Sequence, residues 1–318
     1  MNRREGVIVS VIDEPEAVSQ LRVIKARHTG RWIAGVLIVA LAMSLIYSMF
    51  TNKNFQWPVV GQYLFDETIL SGLSKTLLLT ALSMIIGIVL GVVIAVMRLS
   101  PNPILSVAAM LYSWFFRGTP LLVQLLFWYF LAALVPRIAL GVPFGPELFS
   151  FDTNALISAF TAALLGLGLN EAAYMSEIVR AGIGAVPVGQ VEAARAIGMN
   201  RIQTMWRIVL PQAMRIIIPP TGNETIGMLK YTSLVIVIGY AELMTTVTTI
   251  YARTYQNIPL LIVAAIWYLV ITALLSIAQH YIERHFGRGF RPHVAARSTR
   301  PVAAEATVAV ATGGGSHV

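Results

Sequence analysis

Long apolar stretches separated by short polar ones fill most of this chain. A run of about 17 or more apolar residues can cross a bilayer as a helix. Six such stretches fall near residues 32–50, 70–97, 120–136, 153–178, 212–236 and 258–281. A shorter one, Ile104–Phe116, follows the turn Pro101-Asn102-Pro103 and stops at Arg117-Gly118-Thr119-Pro120. It is too short to cross, and Gly118 and Pro120 break it before the third long stretch, so the pattern predicts an interfacial or re-entrant helix. Leu234–Met244 is a similar run, and its Gly239 and Glu242 predict a helix folded back at the outer face.

Composition agrees with a membrane protein. Hydrophobic residues make up 57% and charged residues 12%, where ordinary soluble chains have roughly 45–50% and about 25%. The charges then set the orientation. With the N-terminus inside, the inner segments are 1–31, 98–119, 179–211 and 282–318, and they hold most of the Lys and Arg. The outer side keeps only Lys53, Lys75, Arg137, Lys230 and Arg253. The positive-inside rule therefore places both termini in the cytoplasm. The same asymmetry accounts for the net charge of +8 without a nucleic-acid partner.

Residues 1–31 are basic and lack an apolar core. The run Trp32–Phe50 is too long for the apolar core of a signal peptide and has no small-residue cleavage site, so it reads as a retained helix. The tail from about Arg291 is rich in Ala, Thr, Gly and Ser. It has too little apolar surface to offset its ordering entropy and is predicted to be disordered. Cysteine is absent, which excludes disulfides and Cys-ligated metals.

The polar segment 186–211 carries helix signals of its own. Pro187 suits the first turn of a helix. Glu192, Ala193, Ala194 and Ile197 put small and apolar groups on adjacent turns. Gly198 can take the left-handed conformation that stops a helix. Asn200, with Gln203 three residues on, reads as a capping box that opens a second helix. Pro211 then ends or kinks that helix as the chain re-enters the membrane. Glu192 and Arg195 are close enough to pair. On periodicity alone, the segment is equally a solvated loop of helix-friendly composition.

The Glu192-Ala193-Ala194 run, with Gly198 four residues later and Leu210-Pro211 at the end, resembles the EAA loop of ABC-importer permeases. The segment Gly72–Ser100, Phe116-Arg117-Gly118-Thr119-Pro120-Leu121, Asn170–Tyr174, Glu177–Gly182 and Lys230–Leu234 resemble the polar amino-acid branch of that family, importers of histidine, arginine, glutamine and glutamate. The likeness covers residues 70–285. It implies an all-α polytopic transmembrane helical bundle, a five-span type I ABC importer permease core plus one extra N-terminal transmembrane helix. The organisation implied is a basic cytoplasmic segment 1–31, the extra helix and an external linker 32–69, the permease domain 70–285 with its coupling loop 186–211, and a tail 286–318. The resemblance makes Glu192, Ala193, Ala194, Gly198, Leu210 and Pro211 the docking element for a cytoplasmic ATP-binding subunit. It also implies an extracytoplasmic solute-binding protein, a second permease copy, identical or related, and an amino-acid cargo crossing the cell membrane. Two features depart from the family pattern: the helix at 32–50, and Tyr231 after Lys230, where many relatives carry Asp or Asn.

Carboxylates within the apolar stretches are the remaining signal. At about 1.5 Å per residue, Glu171 lies about 14 Å along its helix from Arg180, and Glu224 lies farther still from Pro211. Both approach the middle of a core roughly 30 Å thick, where ionisable groups are costly and face a cavity or a partner. Asn170, Tyr174 and Glu177 share one helical face, and Thr221 shares a face with Glu224 beside Asn223. Pro219, Pro220 and Gly222 loosen the backbone just before Glu224, as happens where membrane transporters bind substrate. These seven residues are the candidate substrate path, and their carboxylates favour a basic amino acid. The structural alternatives are that Glu224 bonds neighbouring helices and that Glu177 pairs with Arg180. Gly87 and Gly91, and Gly166 and Gly168, read as close-packing sites.

No P-loop, H-E-x-x-H or G-x-S-x-G motif occurs, and the five histidines lack metal-ligand spacing, so the chain reads as a transport subunit without cofactor or metal. A membrane-embedded enzyme would need a nucleophile with a base, and none pairs up. An ion-coupled secondary transporter or channel using Glu171 and Glu224 is the alternative, but it leaves the patterned loop unexplained.

Overall fold

The computed structural model describes residues 29–141 and 147–286. The basic segment before residue 29 and the tail after residue 286, including its predicted disorder, lie outside the described residues.

The chain divides after Trp57 into two compact units. The first contains α1 (Thr29–Thr51) and a 3-10 turn, Lys53–Phe55. Its end is fixed by the Trp57 indole, which donates to the Met49 carbonyl at 3.0 Å and stacks on Phe50.

The second unit is built on two long helices, α3 (Glu67–Arg98) and α8 (Ala159–Gly184), preceded by the short α2 (Trp57–Leu64). Glycine sets how closely α3 and α8 approach. A Cβ on Gly91 would stand 2.5 Å from that of Met175, and one on Gly87 would collide with the Glu171 side chain. The packing reading of this glycine pair therefore holds, and Gly87 and Gly91 meet Glu171 and Met175 in the same order along both helices.

Beside α8 lie α4 (Pro103–Gly118), α5 (Leu121–Tyr129) and the single turn α6 (Leu131–Leu134). Their contacts run opposite to α8: Ser113 meets Ser176, the Phe116 carbonyl meets Asn170, and Leu125 packs against Gly166. The short helix predicted at 104–116 is α4, and α4 and α5 both run antiparallel to α8, on either side of the break at Arg117–Pro120. Sequence length alone could not show this, because each half is too short by itself.

After α6 the chain forms an antiparallel hairpin, β1 (Arg137–Gly141) with β2 (Glu147–Asp152), Arg137 opposite Asp152. A single turn, α7 (Thr153–Leu156), leads into α8, so the fourth helix starts six residues later than the apolar run.

Past α8 come α9 (Val188–Ala196), α10 (Arg201–Thr204), a π-helical turn at Met205–Val209, α11 (Leu210–Tyr231) and a 3-10 segment, Thr232–Ile238. The last helices are α12 (Leu243–Thr254) and α13 (Asn257–Phe286). Pro211 does not end the helix. The π turn before it pairs Leu210 N–H with the Met205 carbonyl, and Pro211 falls in the first turn of α11, where its missing N–H costs little.

Among the described residues, three helices are long and apolar enough to cross a membrane: Gly30–Thr51, Glu67–Arg98 and Asn257–Phe286. The bent pair Arg201–Ile238 and Leu243–Thr254, 47° apart, makes a fourth candidate. The fold-back after the fifth stretch thus begins at Leu243, behind the left-handed Gly239.

Glu242 locks that fold-back. It is fully buried, and it caps α12 by accepting from Met244 N–H at 2.9 Å and Thr245 N–H at 2.6 Å. The hydroxyls of Thr245, Thr76 and Tyr268 donate to it as well. One carboxylate therefore ties α12 to both α3 and α13. Glu242→Ala removes the cap and orphans buried hydroxyls. It should cost at least about 2 kcal/mol, read as a lowered unfolding midpoint in detergent, with Glu242→Gln falling between the variant and the parent.

Candidate functional site

The break between α4 and α5 leaves backbone groups that need partners. Ending α4 at Gly118 frees carbonyls, and Pro120 has no N–H to offer them. Gln124 supplies the missing donors. Its amide gives to the carbonyls of Phe116 at 2.8 Å and Thr119 at 3.1 Å, and to the Thr119 hydroxyl at 2.7 Å. From α8, Asn170 gives to the same Phe116 carbonyl at 2.9 Å and to Gln124 Oε1 at 3.2 Å. Much of the donor capacity of Asn170 is thus committed to bracing the break.

Two openings flank this braced turn. The first, about 340 Å³, is lined by Arg117–Leu121, Asn170, Tyr174, Glu224, Tyr231 and Leu234. The second, about 430 Å³, is lined by Arg98, Met110, Ser113, Trp114, Arg117, Gly118, Tyr174 and Glu177. Arg117, Gly118 and Tyr174 belong to both, and the Arg117 guanidinium lies over the Tyr174 ring, 5.3 Å from its centre.

Of the seven candidate path residues, the structure gathers Asn170, Tyr174 and Glu224 at the first opening, and Tyr174 with Glu177 at the second. Glu171 is 1% exposed, packs against Gly87, and lines neither. Its Oε1 has no hydrogen-bond partner. Asn223 faces α13 instead, where it accepts from Gln279 at 3.1 Å. The same Gln279 amide donates to the Pro219 carbonyl at 3.3 Å. Thr221 returns its hydroxyl to the Ile217 carbonyl and lines a separate crevice beside Gln279.

Glu177 does pair with Arg180, at 2.8 Å, but it serves two more cations, Arg98 by a short hydrogen-bonded contact and Arg117 at 3.5 Å. Sequence reasoning missed Arg98, Arg117 and Gln124 as site residues. The available signal was a polar or charged side chain beside a Gly/Pro break inside an apolar region.

The loop folds much as its residue types require. Gly198 has φ +82°, and α9 ends with Met199 N–H bonded to the Ala194 carbonyl at 3.1 Å. Asn200 and Gln203 form the reciprocal capping box. Ala194 is buried, while Glu192, Ala193 and Gly198 are exposed. Glu192 and Arg195 form no ion pair among the described residues. The base of the loop is anchored in a core of Val186, Val209, Ala213, Ile217, Met175 and Val179, with Val191 packed against it.

Comparison with known proteins decides what such a bundle is. Residues 87–288 match the family described as "Binding-protein-dependent transport system inner membrane component". The chain belongs to this family. It is a permease, an integral inner membrane component and a transport subunit, not an enzyme. Membership also sets aside the ion-coupled carrier or channel. The permease is 50% identical over 279 residues to the arginine transport system permease protein ArgU of Corynebacterium glutamicum, covering 87% of this chain and 86% of that one. It is 38% identical to the arginine transport system permease protein ArtQ of Bacillus subtilis, covering 68% and 91%. A crystal structure of an amino acid ABC transporter with histidines matches at a TM-score of 0.58 and 39% identity, over 69% of this chain and 94% of that one.

The charge hub yields a test of the permease structure. Side-chain exposures of 21–43% place these ion pairs between surface and core. Glu177→Gln leaves three guanidiniums facing one another and should cost about 1–3 kcal/mol. Removing any one arginine leaves two on the carboxylate and should cost less. Thermal unfolding of the detergent-purified protein reads this order.

Proposed function

We propose that this permease forms the membrane passage of an ATP-driven importer of amino acids, with a cationic amino acid such as arginine as cargo. The observation that carries the reading is the first opening, where the intramembrane carboxylate Glu224 stands beside Asn170 and Tyr174. A carboxylate partly withdrawn from water attracts a cationic side chain and repels an acidic one. The arginine permeases among the relatives support the same choice. Glu224 carries the charge argument more than Glu171, which lies off the opening.

In this reading a second permease copy completes the passage and an extracytoplasmic binding protein delivers the cargo. Two ATP-binding subunits dock on the 186–211 loops. Six membrane crossings, both termini in the cytoplasm, and α1 as an addition to a five-span core follow from the charge asymmetry and the resemblance.

Two experiments test this. In vesicles reconstituted with the cognate ATPase and binding protein, labelled arginine should accumulate with ATP, and glutamate should not. Glu224→Gln should lower arginine uptake about tenfold or more, the loss of one charge-assisted hydrogen bond. Exclusive uptake of acidic amino acids would overturn the charge argument.

The second addresses docking. Gly198 has open space around it, so its positive φ is the only constraint. Gly198→Val penalises that conformation by about 1–2 kcal/mol or more. Recovery of the ATPase on the purified variant should fall about tenfold, with membrane insertion unchanged. Full recovery of the complex would remove the docking role.

A further inference from the structure

We infer that Gln279 on α13 is a positioning residue for the passage: it sets the bend of α11, and through it the place of Glu224, without touching the cargo. The inference rests on the reading of Glu224 above and adds the group that holds it in place.

The middle of α11 is where that helix can flex. Its first half is fixed, with Ala213 and Ile217 buried in the core at the base of the loop. Its second half carries Glu224 to the first opening. Between them, Pro219 and Pro220 lie inside the helix. They withdraw the N–H groups that would hold the Arg215 and Ile216 carbonyls, a common cause of a sharp helix bend. Two hydroxyls add to it. Thr221 donates to the Ile217 carbonyl at 2.8 Å and Thr225 to the Thr221 carbonyl at 2.9 Å, a bonding pattern that also bends helices.

From α13, Gln279 reaches this segment. A Cβ on Gly222 would stand 2.8 Å from both Cγ and Cδ of Gln279, so the glycine leaves the room through which that side chain crosses. Its amide nitrogen is within bonding distance of three acceptors: the Pro219 carbonyl at 3.3 Å, Asn223 Oδ1 at 3.1 Å and Glu283 Oε1 at 2.7 Å. That nitrogen carries only two hydrogens. The nearby carboxylate of Glu283 takes one, as the stronger acceptor. The other is shared between Pro219 and Asn223, one turn apart on α11. The hold on α11 is thus a single exchangeable hydrogen bond, placed at the prolines. Asn223 faces α13 and its neighbour Glu224 faces the opening. The bond therefore decides where Glu224 stands when the first half of α11 is displaced.

Two measurements on the reconstituted permease–ATPase complex test this. In the first, arginine uptake is followed at saturating binding protein. Gln279→Leu should lower the rate about fivefold, the worth of one hydrogen bond. In a Glu224→Gln background the same change should lower it less than about twofold, because a residue that acts through Glu224 loses its effect with that charge. Equal losses in both backgrounds would make Gln279 merely structural and overturn the inference. The second measurement uses the absence of cysteine. Spin labels at Arg215→Cys and Lys230→Cys, about 22 Å apart along α11, report its bend, with labelled copies diluted among unlabelled ones. Gln279→Leu should broaden the distance distribution. Glu283→Leu, which leaves both amide hydrogens to α11, should narrow it. An unchanged distribution in either variant, or a broader one in Glu283→Leu, sinks the inference, and Glu283→Leu decides alone if Gln279→Leu does not assemble. If the parental complex takes up no arginine, the cargo reading fails, while the label distances still judge Gln279.

Discussion

A buried backbone carbonyl left without a donor costs free energy, and the break at Arg117–Pro120 leaves those of Phe116 and Thr119 to be met by side chains. Everything around the site answers to that cost. Gln124 lies one turn into α5, where its amide can fold back over Phe116 and Thr119. Asn170 adds a second donor from α8. With both amides bonded at the break, the charged and phenolic side chains lining the first opening are Arg117, Glu224, Tyr174 and Tyr231. A second irregular site lies in α11: Pro219 and Pro220 lack the N–H groups that the Arg215 and Ile216 carbonyls would use, and nearby Gln279 on α13 bonds the Pro219 carbonyl and Asn223 together. A membrane protein can break a helix only where a neighbour supplies partners, so the breaks and their partners mark where the passage can be shaped.

The loop and the opening share one continuous helix. From Arg201 the chain runs through the π turn and Pro211 into α11, which carries Glu224 thirteen residues beyond that proline. Ile217 on α11 packs with Val186, Val209 and Met175, and its side chain fills the gap left by the missing Cβ of Gly182. The base of the loop is therefore part of the same apolar core as the lower halves of α8 and α11. Close-packed interiors transmit displacement and do not absorb it. A force on α9 has a direct structural route to the residues beside Glu224.

How much of this could be read beforehand depended on the range of the interactions involved. The turn at Gly198 and the capping box at Asn200 and Gln203 are set by residues within a few positions of one another, and they were legible in full. So were α1, α3 and α13, whose hydropathy needs no tertiary partner. The hairpin was not, because its alternation lasts only a few residues at the end of an apolar run. The shared course of α4 and α5 depends on α8, which no local window contains. The two carboxylates show the limit most clearly. Glu171 and Glu224 sit at similar depth in the sequence pattern, yet one is enclosed by α3 and the other faces an opening. Depth follows from counting residues along a helix. Facing follows from which helix packs where, and the one local hint was Gly87, a glycine whose missing side chain leaves room for Glu171.

The charges at the site have an order that the fold imposes. Glu224 stands at one end, and at the other three guanidiniums surround the single carboxylate of Glu177. Three positive groups against one negative leave a formal +2 at that end. Arg180 also lies near the C-terminus of α8, where the helix dipole favours a cation. In the proposed reading, a cationic ligand is drawn toward Glu224 and opposed by the guanidiniums beyond it. The opening is therefore polar in a directional sense, and that direction comes from a helix break that holds one arginine between two carboxylates.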